Sequence, residues 1–252
     1  MDKKKENQTD FSGFVKHFYN SLDRKDCKTY ADWKWFKSKS SRAQYNQTKN
    51  TILRALNGNR YNSALEIGPG DGIWTQLLLN FCSKIDAIDL SEEMLRMAKE
   101  RLNSKPVNLM KGDFLKTHFK GNYDLIYSVR CIEYIEDKEL LIRKCKSLLK
   151  NKGHLLFVTK NPNFFVLKKQ DKTLHSKQIS IIKLKKLLEN QGFKVKLVLP
   201  AVFGKGFHFP GFRQFSNLLH KNILNKKSGY NFFVKHFSES FLIFAENENY
   251  KN

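Results

Sequence analysis

The sequence predicts an α/β protein: a doubly wound, seven-stranded sheet closed by an antiparallel β-hairpin and preceded by an N-terminal helical cap. Three observations carry this. From residue 63 onward, short apolar runs alternate with stretches of helical periodicity, the pattern of a parallel sheet covered on both faces. The first of these runs passes directly into Gly68-Pro69-Gly70-Asp71-Gly72, a glycine-rich turn from strand into helix. The last run, 241–245, has no helix separating it from the end of the sequence and is expected to pair antiparallel with the sixth strand.

Taken in order, residues 11–22 place Phe11, Phe14, Val15, Phe18 and Leu22 at helical spacing. A second helix, about 42–56, carries Tyr45, Ile52, Leu53 and Leu56 on one face, and an aromatic knot of Trp33, Trp35 and Phe36 lies between the two. This cap is assigned to residues 1–58. The first strand is 64–67, and its helix runs from Asp71 to about Asn80. The second strand, 85–88, ends in Asp89, after which Ser91 caps a helix with Glu92 and Glu93 in its first turn and Met94, Leu95, Ala98 and Leu102 inward. Pro106 closes that unit. Strands 107–110 and 123–128 follow, then a helix capped by Asp137 and ended by Gly153, strand 154–159, a helix capped by Ser180 and ended by Gly192, and strand 193–199. The core is assigned to 59–200, and 201–252 to an insertion, expected to be a substrate lid, with the closing strand.

Composition narrows the function. A chain of 252 residues with 40% apolar content can bury a full core. Cys27, Cys82, Cys131 and Cys145 are scattered, without a Cys-x-x-Cys pair, so reduced thiols are expected, with neither a metal site nor a disulfide framework. The residues after Met1 lead into no apolar run, and no 18 apolar residues stand together. No secretory signal and no membrane span are therefore expected, and a cytoplasmic location follows. The net charge of +22, from 46 basic and 24 acidic residues, would attract nucleic acid, anionic lipid or an anionic small substrate. Lysine supplies most of it, which an AT-rich genome would also write. Arginine, the bidentate reader of phosphate, is scarce, so nucleic acid is the less favoured partner.

In an open α/β sheet the ligand lies beyond the carboxyl ends of the strands, at the switch point. The glycine turn suits a carboxylate. Asp89 suits a pair of ribose hydroxyls. Gly112-Asp113-Phe114 offers a carboxylate for an exocyclic amine and a ring for an adenine face, and Ser128-Val129-Arg130 closes the floor. The glycines run Gly-x-Gly-x-Gly with Trp74 following, which fits poorly with the Gly-x-Gly-x-x-Gly of a dinucleotide dehydrogenase.

These segments together resemble the class I S-adenosylmethionine-dependent methyltransferases, a Rossmann-like family. Glu66-Ile67-Gly68-Pro69-Gly70-Asp71-Gly72 resembles the first motif and Ala87-Ile88-Asp89-Leu90-Ser91 the second. Gly112-Asp113-Phe114 resembles the adenine motif, Tyr123-Asp124-Leu125-Ile126-Tyr127-Ser128 the fourth strand, and Leu149-Lys150-Asn151-Lys152-Gly153-His154-Leu155 the turn before the fifth. The match covers roughly residues 60–200. It implies S-adenosyl-L-methionine as cofactor: Glu66, Gly68, Gly70 and Gly72 at its methionine end, Asp89 and Leu90 at the ribose, Asp113 and Phe114 at the adenine, and Ser128 in the floor. Arg42 or Tyr45 of the cap would close over the methionine carboxylate.

The implied reaction is in-line displacement at the sulfonium methyl, in which the protein supplies alignment and a dry pocket. An oxygen or nitrogen acceptor calls for a base; a carboxylate or thiolate does not. Where small-molecule members of the family often carry a histidine, Tyr134 stands, so Glu133 and Tyr134 are the candidates, with His175 of the loop after the fifth strand. Asn161-Pro162-Asn163-Phe164 reads as a turn.

The region 201–237 holds Phe203, Phe207, Phe209, Phe212, Phe215, Leu218, Leu219 and Ile223 among Lys205, Arg213, Lys221, Lys226 and Lys227. A helix over about 212–225 would be amphipathic with a basic rim. It suits an anionic membrane surface, a lid over a lipid-like substrate, or packing against the core. Three functions are open: a methyltransferase for a small or lipid-linked metabolite, an RNA methyltransferase, and a non-catalytic basic interaction module.

Overall fold

The computed structural model describes residues 11–24, 26–164, 176–203, 212–224 and 236–248. Seven strands form one sheet: β1 (Tyr61–Ile67), β2 (Cys82–Asp89), β3 (Val107–Lys111), β4 (Tyr123–Val129), β5 (Leu149–Lys160), β6 (Phe193–Phe203) and β7 (Ser238–Asn247), in the order β3-β2-β1-β4-β5-β7-β6. β3, β2, β1, β4 and β5 run parallel to one another in that order, with Ala64 of β1 opposite Ile85 on one side and Leu125 on the other. The order reverses between β1 and β4, which puts the switch point at the glycine turn.

β7 is antiparallel to β6, as the sequence predicts, and also to β5. Leu242 lies opposite both Val158 and Leu199. β7 is paired along both edges, and both of its faces are covered by the two core layers. Leu242 and Phe244 join one core cluster while Phe241, Ile243 and Ala245 join the other, so the strand reads as a continuous apolar run. β6 is left at the edge, with Lys194 and Lys196 exposed and Pro200 beside a shift of register, features that discourage further pairing. β6 continues to Phe203 and β7 lies inside the sheet. The boundary at 200/201 therefore falls within a strand.

The helices are α1 (Phe11–Asn20), α2 (Lys39–Leu56), α3 (Ile73–Leu78), α4 (Glu92–Arg101), α5 (Lys138–Leu148), α6 (Ile181–Asn190) and α7 (Phe212–Leu224), with a π-helical turn over Asp32–Phe36. Ser91, Asp137 and Ser180 each accept a backbone N–H three residues on, as expected of N-caps worth about 1 kcal/mol apiece. Ser38 does the same for Ser41, so α2 begins a turn earlier than its apolar face suggests. The helix expected to end at Gly153 stops at Leu148. Gly153 lies within β5, where a Cβ would stand 2.9 Å from the Lys150 carbonyl oxygen.

Two core layers sandwich the sheet. Ile52 and Leu56 of α2, with Trp74 and Leu78 of α3, cover one face; Leu141 and Cys145 of α5, with Leu184 and Leu188 of α6, cover the other. α7 turns its buried side to the protein. Ser216 Oγ donates to the Phe203 carbonyl (2.7 Å), His220 Nε2 lies 3.0 Å from the Pro200 carbonyl, and Ile223 packs on Phe203. Of the readings open for this helix, its described residues show packing against α2 and β6. Among the described residues no helix is long and apolar enough to cross a membrane.

Candidate functional site

A crevice opens beyond the carboxyl ends of β1, β2, β3 and β4, where the sequence places it. Its floor is the glycine turn, in which Gly68, Gly70 and Gly72 all have left-handed φ, +71°, +57° and +80°. Their environments differ. A Cβ on Gly68 would stand 2.3 Å from Cys131 Sγ, so this glycine lets β1 and the segment after β4 touch. A Cβ on Gly72 would meet Leu102 at 3.0 Å, which lets α3 lie against α4. A Cβ on Gly70 would meet nothing within 4 Å and would project into free space. Gly68 and Gly70 line the crevice; Gly72 does not.

Asp89, at the end of β2, faces the same space. Its Oδ2 accepts the Gly70 N–H (3.1 Å) and its Oδ1 the Ser91 N–H (2.9 Å), so the carboxylate is fixed in one orientation. Burial pushes this carboxyl up from its ordinary value, and the backbone N–H groups of Ser91, Gly70 and Leu90 pull it back. Leu90 lines the crevice beside it. At the far end stand Asp113, whose Oδ1 accepts the Leu115 N–H (2.8 Å), and Phe114, backed by Phe119 and by Lys144 Nζ, 5.2 Å from its ring centre.

Besides Gly72, four of the expected cofactor residues are placed elsewhere. Glu66 is fully buried in β1, beneath the turn and outside the crevice lining. Burial pushes its carboxyl up to about 8. Ser128 is fully buried, and its Oγ donates to the Ile67 carbonyl (2.8 Å), tying β4 to β1. Tyr45 stacks on Trp74 with ring centres 5.0 Å apart, inside the aromatic packing of α2. Arg42 points into a different hollow, between α2 and α7. The reason is the start of α2 at Lys39, which puts Arg42 on the outward face of its first turn. None of the described residues of 201–248 lines the crevice; most of the expected lid, 204–211 and 225–235, lies outside the described residues.

The roof comes from earlier in the chain. Val15, Lys16 and Tyr19 of α1, then Tyr30, Lys34 and Trp35, close the crevice from above. Asp71, next to the glycines, fastens this segment. Its Oδ2 accepts the Ala31 N–H (2.7 Å) and forms an ion pair with Arg101 (2.9 Å), which also donates through Nε to the Asp71 carbonyl (2.8 Å). A second fastening joins Arg24 to Glu93 (2.9 Å), and Ser91 Oγ donates to Asn20 Oδ1 (2.7 Å). The sequence anticipated a cap over 1–58 and named Arg42 or Tyr45 as its closing residues; that α1 with Tyr30, Lys34 and Trp35 would form the roof was missed.

Of the catalytic candidates, Tyr134 lines the crevice. Its hydroxyl accepts a hydrogen bond from Tyr19 (3.0 Å), with the Tyr30 ring packed against Tyr19. Burial pushes the Tyr19 and Tyr134 phenols well above their ordinary value and Tyr30 up to about 12, so all three are protonated at neutral pH. Glu133 does not face the crevice. It is fully buried, Oε1 paired with Arg130 Nε (3.0 Å) and Oε2 accepting from Thr159 Oγ1 (2.9 Å), while Arg130 also pairs with Glu239 (3.2 Å). Held this way it is a positioning group for Arg130, which lines the crevice in a left-handed backbone conformation, φ +62°. His175 lies outside the described residues.

Residues 65–157 match the family described as "Methyltransferase domain". The chain is 34% identical over 137 residues to malonyl-[acyl-carrier protein] O-methyltransferase 2 of Ilyobacter polytropus, covering 50% of this chain and 53% of that one. It is 26% identical over 103 residues to the ubiquinone biosynthesis O-methyltransferase of Coxiella burnetii, covering 40% and 44%. The chain spans about half the length of the curated relatives it matches. Among solved structures, the N-methyltransferase NodS of Bradyrhizobium japonicum in complex with S-adenosyl-L-homocysteine shares the fold, with a TM-score of 0.63 at 15% identity over 95% of this chain and 100% of that one.

Proposed function

Because the chain carries a class I S-adenosylmethionine-dependent methyltransferase domain, we propose that it methylates a carboxylate oxygen on a small or carrier-linked metabolite, with S-adenosyl-L-methionine as donor. The chain's own groups fit that donor. Gly70 leaves room against the turn, Asp89 is oriented toward the crevice with lone pairs to spare for two ribose hydroxyls, and Asp113 and Phe114 offer an amine partner and a ring face. The donor supplies a methyl group on a sulfonium; a carboxylate oxygen that displaces it leaves a neutral thioether and an ester, with no proton to remove.

The observation that carries the acceptor assignment is the chemistry of the crevice wall. Among the described residues no histidine lines it, its three tyrosines hold their protons, and its carboxylates are engaged. Asp71 is paired with Arg101, Asp89 bound to two N–H groups and Asp113 to one. An acceptor already ionised at neutral pH needs none of them as a base. Lys16, which has no carboxylate partner among the described residues, supplies positive charge to hold it, while Arg130, paired with Glu133 and Glu239, offers N–H donors. The malonyl group named for the relatives is such an acceptor.

The test has two stages. S-adenosylhomocysteine is titrated by calorimetry; no binding would remove the donor from this reading. Labelled methyl transfer is then followed into malonyl thioesters and into hydroxyl and amine acceptors. The expected profile of kcat/KM is flat between about pH 6 and 9, and His175→Ala keeps its turnover. A tenfold rise per pH unit near neutrality would show a base at work and overturn the carboxylate.

A further inference from the structure

One face of α2 presents Lys39, Arg42, Asn46, Asn50 and Arg54 at spacings of three and four residues. α7 lies alongside in the same direction: Gln47 donates to Asn217 Oδ1 (2.7 Å), Thr51 meets His220 (3.1 Å), and Arg54 donates to the Leu224 carbonyl (3.1 Å). A groove about four helical turns long, roughly 22 Å, runs between the two helices, with Lys221 on its far wall.

Its charge is of one sign. Neither α2 nor α7 contains an Asp or Glu, and among the described residues Lys39, Arg42, Arg54 and Lys221 have no carboxylate partner. By contrast Arg24, Arg96, Arg101 and Arg130 are all ion-paired. Lys39 and Arg42 occupy the first turn of α2, where the helix dipole disfavours cations. Local electrostatics therefore works against this arrangement within the folded chain. An anionic partner would reverse the sign of that cost.

We propose that the α2–α7 groove is the docking surface for an acidic helix of a partner protein that delivers the methyl acceptor; the delivery, though not the docking, rests on the methyl-transfer reading above. Among the described residues no Phe, Tyr or Trp lines the groove, so these offer single-stranded nucleic acid none of the stacking platforms it uses. A helix with carboxylates along one side matches the length and the spacing of the cations. The groove also begins next to the reaction site. Lys39 follows the Asp32–Phe36 turn, whose Lys34 and Trp35 wall the crevice, so a tethered acceptor reaches the mouth from a carrier docked there.

The experiment uses the full chain and an acyl-carrier protein bearing a malonyl thioester as probe, with binding read by fluorescence anisotropy over a salt series. Binding is expected to weaken steeply with salt. Lys39→Glu with Lys221→Glu, two exposed side chains, should weaken it by about tenfold or more. The same variant should keep its affinity for S-adenosylhomocysteine, keep its turnover of a free malonyl thioester, and raise KM but not kcat for the carrier-bound one. If the double variant does not fold, Lys39→Gln and Lys221→Gln measured singly give the same reading at smaller amplitude. Carrier binding that is absent, or unchanged in the variants, overturns the proposal, as does a single-stranded RNA oligomer binding where the carrier does not. Loss of S-adenosylhomocysteine binding alone, with groove-dependent carrier binding intact, would remove the donor reading and leave the docking surface standing.

Discussion

The hydroxyl of Tyr19 donates to the hydroxyl of Tyr134 at 3.0 Å, joining α1 to the turn after β4 across 115 residues of sequence. Both phenols are held protonated by burial, so the pair orients and encloses and does not accept a proton. Tyr134→Phe should therefore raise KM for the acceptor and cost about 1 kcal/mol of stability, while leaving the shape of the pH–rate profile unchanged. Kinetics across pH on the variant and the parent check this; a profile that changes slope would return Tyr134 to the role of base.

Asp89 is held by the Gly70 and Ser91 N–H groups, and Asp89→Asn keeps its size while removing its charge. Two charge-assisted bonds to ribose hydroxyls at about 1.5 kcal/mol each make a loss of roughly 100-fold in S-adenosylhomocysteine affinity the expected outcome. Calorimetry measures it directly. An affinity within threefold of the parent (about 0.6 kcal/mol) would place the ribose elsewhere.

Gly68 and Gly70 should separate folding from binding. Gly68→Ala puts a methyl 2.3 Å from Cys131 Sγ at a φ of +71°, so strain and overpacking of about 2 to 4 kcal/mol should lower the melting temperature markedly. Gly70→Ala meets no atom within 4 Å and carries only the backbone cost of about 1 kcal/mol. Its folding should survive while its methyl occupies the ligand's space. Thermal melts paired with ligand titration distinguish the two; equal losses of stability would contradict the contact at Gly68.

Much of this was legible because it is locally encoded. Alternating runs, caps such as Ser91 and Asp137, and the glycine turn specify elements from residues adjacent in sequence, and the switch point then follows from strand order. The sixth strand was expected as the antiparallel partner of β7, which holds, but that β5 would flank it as well was not expected. A cap over 1–58 was legible, but not which of its residues form the roof. Whether Arg42 or Lys16 faces the crevice depends on where α2 starts and on the Ala31–Asp71 bond, contacts between segments that no local pattern reports. Glu133 was misread for a related reason: its partners Thr159 and, through Arg130, Glu239 lie far along the chain. The residue type matched a base, and the environment made it a counterion.

Glu66 lies buried under the glycine turn, where the Thr75 hydroxyl only partly offsets the burial of its carboxyl. Burial raises its carboxyl from about 4.5 to about 8 in the folded chain. Between those values the native state holds a proton that the unfolded chain has released, so the unfolded state binds fewer protons and stability falls as pH rises. The contribution is fully present below about pH 4.5 and is lost as the pH passes about 8. Glu66→Gln has nearly the same shape and cannot ionise. It should flatten the dependence of the urea midpoint on pH across this window and exceed the parent in stability at its alkaline end. Because Glu66 does not line the crevice, the same variant should bind S-adenosylhomocysteine with affinity near the parent's at pH 6. Identical pH slopes for the two proteins would mean that the carboxyl is solvated in the native state, and a large loss of affinity at pH 6 would mean that it reaches the ligand after all.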